Sequence, residues 1–281
     1  MGCVLADYPG LRNFIVGFDV AGDERSSAPR RFLSAYQHLQ LLQQHYRTTR
    51  PHSPIQLGWT YHAGEDYDDL LTALRYIDEV DALLLGKDGG RIGHALALGE
   101  PPARFYQRRQ GQSELELGTH LLDLVWAWGR LIEARQTDDI PWLEKRFTYY
   151  LLLIGQKQTL DYSISDSLDK CYRAMNLPKH HCLGCDPGSY ELNAINNIDA
   201  DYSENRLLTI LGLENGAKTM ISVQAEPTWL DFCSRLQNLL RNHLAMRPVC
   251  IEANPTSNLI IGDYNHYYEL PIPFGMITEW H

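Results

Sequence analysis

The chain has 281 residues and a hydrophobic share of 44%, enough for one large domain or two smaller ones with a sizeable core. Its formal net charge of -10 at pH 7 argues against a surface that coats nucleic acid, although it leaves a nucleotide substrate open. The most apolar segment, residues 121–132, contains two charged residues and is too short to span a bilayer, so no membrane association is predicted. Six Cys in a chain of this length do not indicate a disulfide framework, and no secretion signal is evident, so we expect a cytoplasmic protein.

The first apolar run, Phe14 to Asp19, predicts a strand that ends at an acidic residue. The turn Ala21-Gly22-Asp23-Glu24 follows it, and a glycine in such a turn allows a backbone to approach a ligand closely. Taken alone, the pattern also fits a tight strand-to-helix turn with a capping acid. Residues 30–46 then show helical periodicity, and residues 47–54 are polar and predict a loop.

His62 and Glu65 stand three residues apart at the predicted end of the next strand. The apolar run Ile55-Gln56-Leu57-Gly58-Trp59 predicts a short buried strand, and Thr60-Tyr61-His62-Ala63-Gly64-Glu65-Asp66 comes directly after it. In parallel α/β proteins, active sites lie at these carboxyl ends. A neutral imidazole can bind a metal there, and a neighbouring carboxyl can carry a proton. A lone His at a strand end is more often structural, but a second His one βα unit later favours a functional pair.

That second His belongs to the run Arg91-Ile92-Gly93-His94. A helix predicted over residues 67–80 and the turn Lys87-Asp88-Gly89-Gly90 separate it from the first His. The run either starts or forms the next short strand.

Residues 96–249 predict mainly helices, over 114–135, 142–160, 167–175 and 229–246. The first of these is apolar almost all round, so we expect it to be buried or at an interface. After this region, the run Glu252-Ala253-Asn254-Pro255-Thr256-Ser257-Asn258 follows a short apolar strand and forms a polar turn.

Two motifs within residues 96–249 suggest chemistry but have simpler interpretations. Residues 180–185, with Cys171 upstream, contain the pair Cys182 and Cys185, but no second Cys-x-x-Cys pair lies at a usual spacing. Buried thiols and surface histidines are favoured there over a metal site. The acid pair Asp138-Asp139 has no apolar strand before it, so a turn that caps a helix is favoured over a catalytic acid pair.

Four of these runs, taken together and in this order, resemble the adenosine deaminase family of zinc hydrolases. They are the runs that begin at Val16, Thr60, Arg91 and Glu252, each at a predicted strand end. The resemblance implies an α/β fold, namely a partial (β/α)8 TIM-type barrel with a large, mainly helical insertion. Residues 1–95 would hold barrel βα units with the two His motifs, residues 96–249 the insertion, and residues 250–281 a barrel βα unit truncated before the last strand.

The resemblance also implies a role for each matching residue. His62 would bind Zn2+, Glu65 would carry a proton, and His94 would orient the zinc-bound water. Gly22 would offer its backbone N–H to a purine ring, and Asp19 would lie near the reacting centre and steady a catalytic His. The substrate would be adenosine or an adenine nucleotide, deaminated by hydrolysis to the inosine product. Ala95 stands where the family usually has Gly, and its methyl group could narrow the mouth of the pocket.

The chain departs from the family in its metal ligands. The family also uses a His-x-His pair and an Asp, whereas this sequence has no His-x-His and no Asp-Asp pair after Glu252. Three explanations could account for the missing ligands. The chain could be a fragment of a longer deaminase, or one part of a site that an oligomer or another polypeptide completes. It could also be an inactive scaffold or assembly subunit. The intact set of Asp19, His62, Glu65 and His94 favours an enzyme, and a fragment is the favoured explanation.

The length of the insertion suggests a wider context. It is similar to the insertions of large deaminases from prokaryotic antiphage systems, of the RADAR type or CRISPR-associated, although the sequence has no motif specific to them. A defence complex is therefore one expected assembly. A related amidohydrolase that acts on a different amine or amide is a weaker alternative.

Overall fold

A computed structural model describes residues 10, 14–49, 57–153, 163–176, 217–254, 256, 258, 259, 264 and 266. The strands are β1 (Gly17–Val20), β2 (Gly58–Ala63), β3 (Gly90–His94), β4 (Gln112–Glu116), β5 (Met220–Gln224) and β6 (Val249–Glu252). The helices are α1 (Leu33–Thr49), α2 (Leu70–Glu79), α3 (Pro102–Arg108), α4 (Leu117–Glu133), α5 (Ile140–Leu153), α6 (Ile164–Asn176) and α7 (Pro227–Leu244). Short turns of 3-10 helix at Pro29–Phe32, Gly86–Asp88 and Leu96–Leu98, and a π-helical turn at Val80–Leu85, connect them.

Four strands form one parallel sheet in the order β1-β2-β3-β6. The pairing aligns Asp19 with Thr60, Ala63 with His94, and Gly93 with Glu252. All four carboxyl ends therefore meet at one edge of the sheet. This confirms a mixed α/β fold with a parallel sheet, and it joins β6 directly to β3 although about 150 residues separate them in the chain.

The strand boundaries differ from the predicted ones around both N-terminal motifs. The strand predicted at 55–59 corresponds to β2, which begins at Gly58 and continues through His62 to Ala63. Residues 55 and 56 lie outside the described part. The strand predicted from Phe14 begins only at Gly17, and the side chains of Phe14 and Val16 are 81% and 69% exposed. His62 is thus a strand residue rather than a loop residue, because β2 continues to pair with β3 through Ala63, although its pairing with β1 ends at Tyr61.

The predicted helices are present with shifted ends. Helix α1 corresponds to the prediction over 30–46, α2 to 67–80, α5 to 142–160, α6 to 167–175 and α7 to 229–246. The predicted end of α5, residues 154–160, lies outside the described residues. Helix α4 is buried along most of its length, as its apolar sequence predicts.

Strands β4 and β5 were not predicted. They form an antiparallel pair in which Ser113 lies opposite Val223 and Leu115 opposite Ile221. In β4 the residues alternate, with Ser113 and Leu115 buried and Glu114 and Glu116 exposed. Five residues rich in Glu, Gln and Leu carry a strong helical preference, so the prediction started a helix at Glu114. The partner strand lies more than 100 residues away, and only tertiary pairing selects the extended form.

One hydrophobic core joins the parallel sheet to the helices that follow it. It includes Trp59 and Ile92 from the sheet, Leu74 from α2, Leu124 from α4 and Phe232 from α7. The division of the chain at residues 95 and 249 remains a prediction. In the described ranges, no helix has the length and apolar character needed to cross a membrane.

Helix α2 is buried at every position, so its charged residues must find partners inside the protein. Its N-cap is Asp69, whose side chain accepts a hydrogen bond from the backbone N–H of Leu71 at 2.9 Å. The guanidinium of Arg75 lies 2.6 Å from a carboxylate oxygen of Asp123 and 2.9 Å from one of Glu79. Buried charges of this kind stabilise the fold only when each has a partner of opposite charge, because removing one partner leaves the other with an uncompensated desolvation penalty.

We therefore expect Asp123→Asn to lower the free energy of unfolding by about 3 kcal/mol, since Arg75 would lose its charged partner on α4. The exposed pair between Arg173 and Asp169 provides a matched control, because side-chain exposures of 75% and 41% leave it largely solvated. Asp169→Asn should change the free energy by less than about 0.5 kcal/mol. Urea denaturation measures both, and equal effects would contradict the importance of the buried pair.

His120 on α4 is fully buried, and in the described ranges neither of its ring nitrogens has a hydrogen-bond partner. The ring packs against those of Tyr150 and Trp229, with centroids 4.4 and 5.8 Å away. Burial, and then the nearby charge of Arg146, hold the pKa of His120 well below its ordinary value. The imidazole is consequently neutral in the folded protein.

The imidazole of His120 takes up a proton at a higher pH in the unfolded chain than in the folded protein. The free energy of unfolding should therefore fall as the pH drops below about 6.5. His120 alone should contribute a slope of about 1.4 kcal/mol per pH unit there. We expect His120→Phe to remove that part of the slope in denaturation curves recorded between pH 7 and 5.5. An identical slope in His120→Phe would show that His120 does not titrate on unfolding.

Candidate active site

Two imidazoles lie side by side at the carboxyl ends of β2 and β3. The pairing of these strands places His62 opposite Gly93 and Ala63 opposite His94. The rings of His62 and His94 are 4.9 Å apart between centroids and inclined at 63°. A Cβ at Gly93 would lie 2.6 Å from Cδ2 of His62, so glycine is required for the ring to take this position.

The carboxylate of Glu65 lies between the two rings. Its Oε1 is 3.5 Å from Nδ1 of His62, and its Oε2 is 3.0 Å from Nε2 of His94. The chain reverses after β2 through Gly64, whose φ of 81° favours glycine, and this turn directs Glu65 back toward the strand ends. The side chains of Glu65 and His94 are 8% and 6% exposed, and that of His62 is 21% exposed.

The electrostatics of this group favour an ionised carboxylate. Burial would raise the pKa of Glu65, but the two imidazoles outweigh it and lower that pKa to about 2. The hydrogen bond to Glu65, acting against burial, raises the pKa of His62 above its ordinary value. Although Oε2 of Glu65 is within ion-pair distance of His94, the angles do not meet those of a hydrogen bond. Among the described residues, this buried oxygen therefore has no hydrogen-bond partner, which leaves a lone pair unused.

Each imidazole meets a second oxygen acceptor on its other nitrogen. A carboxylate oxygen of Asp19, at the end of β1, lies 3.4 Å from Nε2 of His62. Nδ1 of His94 contacts Oδ1 of Asn258, a side chain that is fully buried. Asp19 was expected to steady a catalytic His, and the residue it contacts is His62. Asn258 was identified only as part of a polar turn, and its contact with His94 was missed because 164 residues separate the two.

Glu24 is a further residue of the site whose role the sequence did not reveal. The sequence suggests at most a cap for its own turn, yet its carboxylate accepts hydrogen bonds from the backbone of the loop after β2. Burial, which the hydrogen bonds from residues 64–66 only partly offset, raises the pKa of Glu24 to about 7. No local pattern could predict this contact, because its partners lie about 40 residues away in the chain.

The structure leaves the expected substrate contact of Gly22 as a prediction and revises the expectation for Ala95. Gly22 is exposed, and a Cβ there would meet no atom within 4 Å, so its backbone is accessible. Its contact with a purine remains a prediction. Ala95 adopts a left-handed φ of 46° and is fully buried in the core. Its methyl group therefore packs into the core instead of narrowing the mouth of a pocket.

The remaining motifs show no catalytic arrangement in the described residues. Asp139 precedes α5 and accepts two hydrogen bonds of 2.8 Å from Arg235, which fits a structural turn. Cys171 is a buried thiol whose pKa burial raises to about 12. The rest of its proposed cluster, His180, His181, Cys182 and Cys185, lies outside the described residues.

The residues at the strand ends fit a divalent metal ion in part. The ligand atoms of His62, Glu65 and His94 all lie within 4.8 Å of one another, and no other group of this kind occurs in the described ranges. The unused lone pair of Glu65 and the space that Gly93 leaves for the His62 ring support such a site. The His-x-His pair and the Asp that complete a deaminase zinc site are absent from the sequence.

Compared with known protein families and with curated proteins, the chain matches none of them. The resemblance to adenosine deaminases therefore rests on the four motifs and remains a prediction.

Gly93→Ala tests whether the close packing of β3 against His62 places that ring. We expect the added methyl group to displace the ring, to change the imidazole NMR signals of His62, and to lower stability by about 1–3 kcal/mol. Gly58→Ala is the matched control in the same sheet, because its Cβ would meet its nearest atom at 3.6 Å. Unchanged His62 signals in Gly93→Ala would contradict the proposed constraint.

Proposed function

We propose that this chain supplies the proton-transfer side of an adenosine deaminase-like zinc hydrolase. The observation that carries the proposal is the convergence of His62, Glu65 and His94 at adjacent ends of parallel strands. Three residues that the family resemblance assigns to one reaction lie within contact of one another, although His94 is 29 residues away from Glu65 in the chain. The proposed substrate is adenosine or an adenine nucleotide, and the products are the inosine compound and ammonia.

In the proposed reaction, His94 orients the attacking water and takes one of its protons. Glu65 is ionised in the resting site, so it first accepts a proton from solvent and then donates it to the ring nitrogen beside the reacting carbon. As the C–N bond breaks, His94 returns its proton to the leaving amine, and the hydroxyl proton of the addition intermediate restores Glu65. Zinc, when bound beside His62, would lower the pKa of the water.

The neighbouring oxygens of Asp19 and Asn258 support these roles. A carboxylate oxygen of Asp19 lies 3.4 Å from the far nitrogen of His62, and a carboxylate in this place orients metal-binding imidazoles and raises their basicity. The contact of Asn258 with Nδ1 of His94 restricts that ring in the same way. Both strand-end imidazoles are thus held at two points before a substrate arrives.

The missing ligands favour a second candidate, an inactive deaminase-like scaffold or an assembly subunit, for example of a defence complex. One imidazole does not hold zinc tightly enough for catalysis, so an active enzyme must obtain its other ligands from a flanking or separate polypeptide. A His-x-His motif upstream and an Asp-Asp pair downstream, in frame in the coding sequence, would support the enzyme. An amidohydrolase with a different amine or amide substrate would release ammonia from neither adenosine nor ATP.

Glu65→Gln tests the proton-transfer role in the completed enzyme. We expect ammonia release from adenosine or ATP to fall at least about 100-fold, because the amide cannot donate and recover a proton in this way. The thermal unfolding midpoint should remain near its wild-type value, and so should the zinc content, because the proposal assigns the metal to His62 and only proton transfer to Glu65. Asp66→Asn, which removes a carboxylate from the adjacent position that pairs only with Arg25, should keep most of the activity. Unchanged turnover in Glu65→Gln would refute the role, and absence of both zinc and ammonia in the wild type would favour the scaffold.

A further inference from the structure

We propose that Glu24 is a positioning residue, whose buried carboxylate holds the backbone of residues 64–66 and thereby keeps Glu65 between His62 and His94. The chemical purpose of this arrangement rests on the proposed function. The geometry itself does not, because it concerns only how one loop is held against the sheet.

The carboxylate of Glu24 accepts hydrogen bonds from three successive backbone amides. Its Oε2 lies 2.7 Å from N of Gly64, and its Oε1 lies 2.8 Å from N of Glu65 and 3.2 Å from N of Asp66. Successive N–H groups that point inward form a concave anion site, and here the left-handed Gly64 creates that curvature. The anion is a side chain of the protein, and it is only 5% exposed.

The opposite side of the same loop is also fixed. The backbone N–H of Ala97 donates to O of Gly64 at 3.0 Å, and that of Ala95 donates to O of Ala63 at 3.0 Å. A Cβ at Gly64 would lie 2.5 Å from Cδ1 of Ile77, so α2 packs directly against the turn. Glu24 holds the loop from the side of β1, so the loop is fixed on both sides. Glu65 therefore has little freedom to move away from the two imidazoles.

The chemistry of the partners explains why a carboxylate is required. All three partners are N–H donors, and above its pKa of about 7 the ionised carboxylate of Glu24 accepts with both oxygens and donates with neither. No ion pair joins Glu24 to a cation within the described ranges, so the three amides take the place of a counter-charge. A glutamine would turn an NH2 group toward at least one of these donors, which makes Glu24→Gln a sensitive substitution despite its equal size.

The experiment compares the imidazole NMR signals of His62 and His94 at a fixed pH in protein with labelled His. We expect Glu24→Gln to shift both sets of signals in the same direction as Glu65→Gln does, because both changes remove the carboxylate from between the rings. Asp23→Asn removes the same charge one residue earlier, at an exposed carboxylate whose bonds stay within residues 23–26, and it should shift neither.

A double variant shows whether Glu24 acts through Glu65. In a Glu65→Gln background, the additional change Glu24→Gln should produce little further shift at His94, since no charge remains to be positioned. A full, additive shift at His94 would overturn the proposal and indicate a separate structural effect. An unshifted His94 in the single Glu24→Gln variant would also overturn it, provided that the His120 signal shows an intact core.

Hydrogen exchange of the wild-type protein tests the same contact even if Glu24→Gln fails to fold. The amides of residues 64, 65 and 66 should exchange at least about 100-fold more slowly than in an unstructured peptide, because a charged acceptor binds them. Exchange at the unstructured rate would refute the contact. If these results hold while ammonia release is absent, the proposed function fails and the positioning role of Glu24 stands.

Discussion

The parallel pairing of β2 with β3 is the constraint on which the site depends. It sets His62 beside Gly93 and brings His94 to the end of the next strand, where the two rings meet. A slip of one residue would turn alternate side chains to the opposite face of the sheet and separate the imidazoles. Gly93 supports this register at close range, because the ring of His62 occupies the space where any side chain would lie.

Buried carboxylates organise the regions around this pairing, and each is matched by a different kind of donor. Glu65 lies between two imidazoles, Glu24 accepts from three backbone amides, and Asp123 meets the guanidinium of Arg75. In every case the partners come from another element of the fold, so the charges connect strands and helices as well as offsetting the cost of burial. The proposed chemistry uses only the first of these carboxylates, which is also the one with an unused lone pair.

Local sequence predicted the elements that have a strong periodic pattern and the residues that form compact motifs. Both ends of the helices α1, α2, α4, α6 and α7, and the start of α5, were predicted within a few residues. His62, Glu65 and His94 were selected as one site. Strand β4 was missed because its short alternation is weaker than the helical preference of the same residues, and β5 was missed because its pairing partner lies more than 100 residues away. Asn258 and the loop-holding role of Glu24 were missed because nothing near them in the chain indicates their partners.

The sequence by itself determined which side chains stand at the carboxyl ends of the strands, since apolar runs and the residues after them are local features. Only the tertiary structure decided which of those ends are neighbours, how the rings are oriented, and which oxygen faces each nitrogen. The physical reason is that strand order, register and the burial of charge depend on contacts between distant parts of the chain, such as β3 with β6 and Glu24 with residues 64–66. Hydrophobic periodicity describes one element at a time, and it carries no information about these pairings.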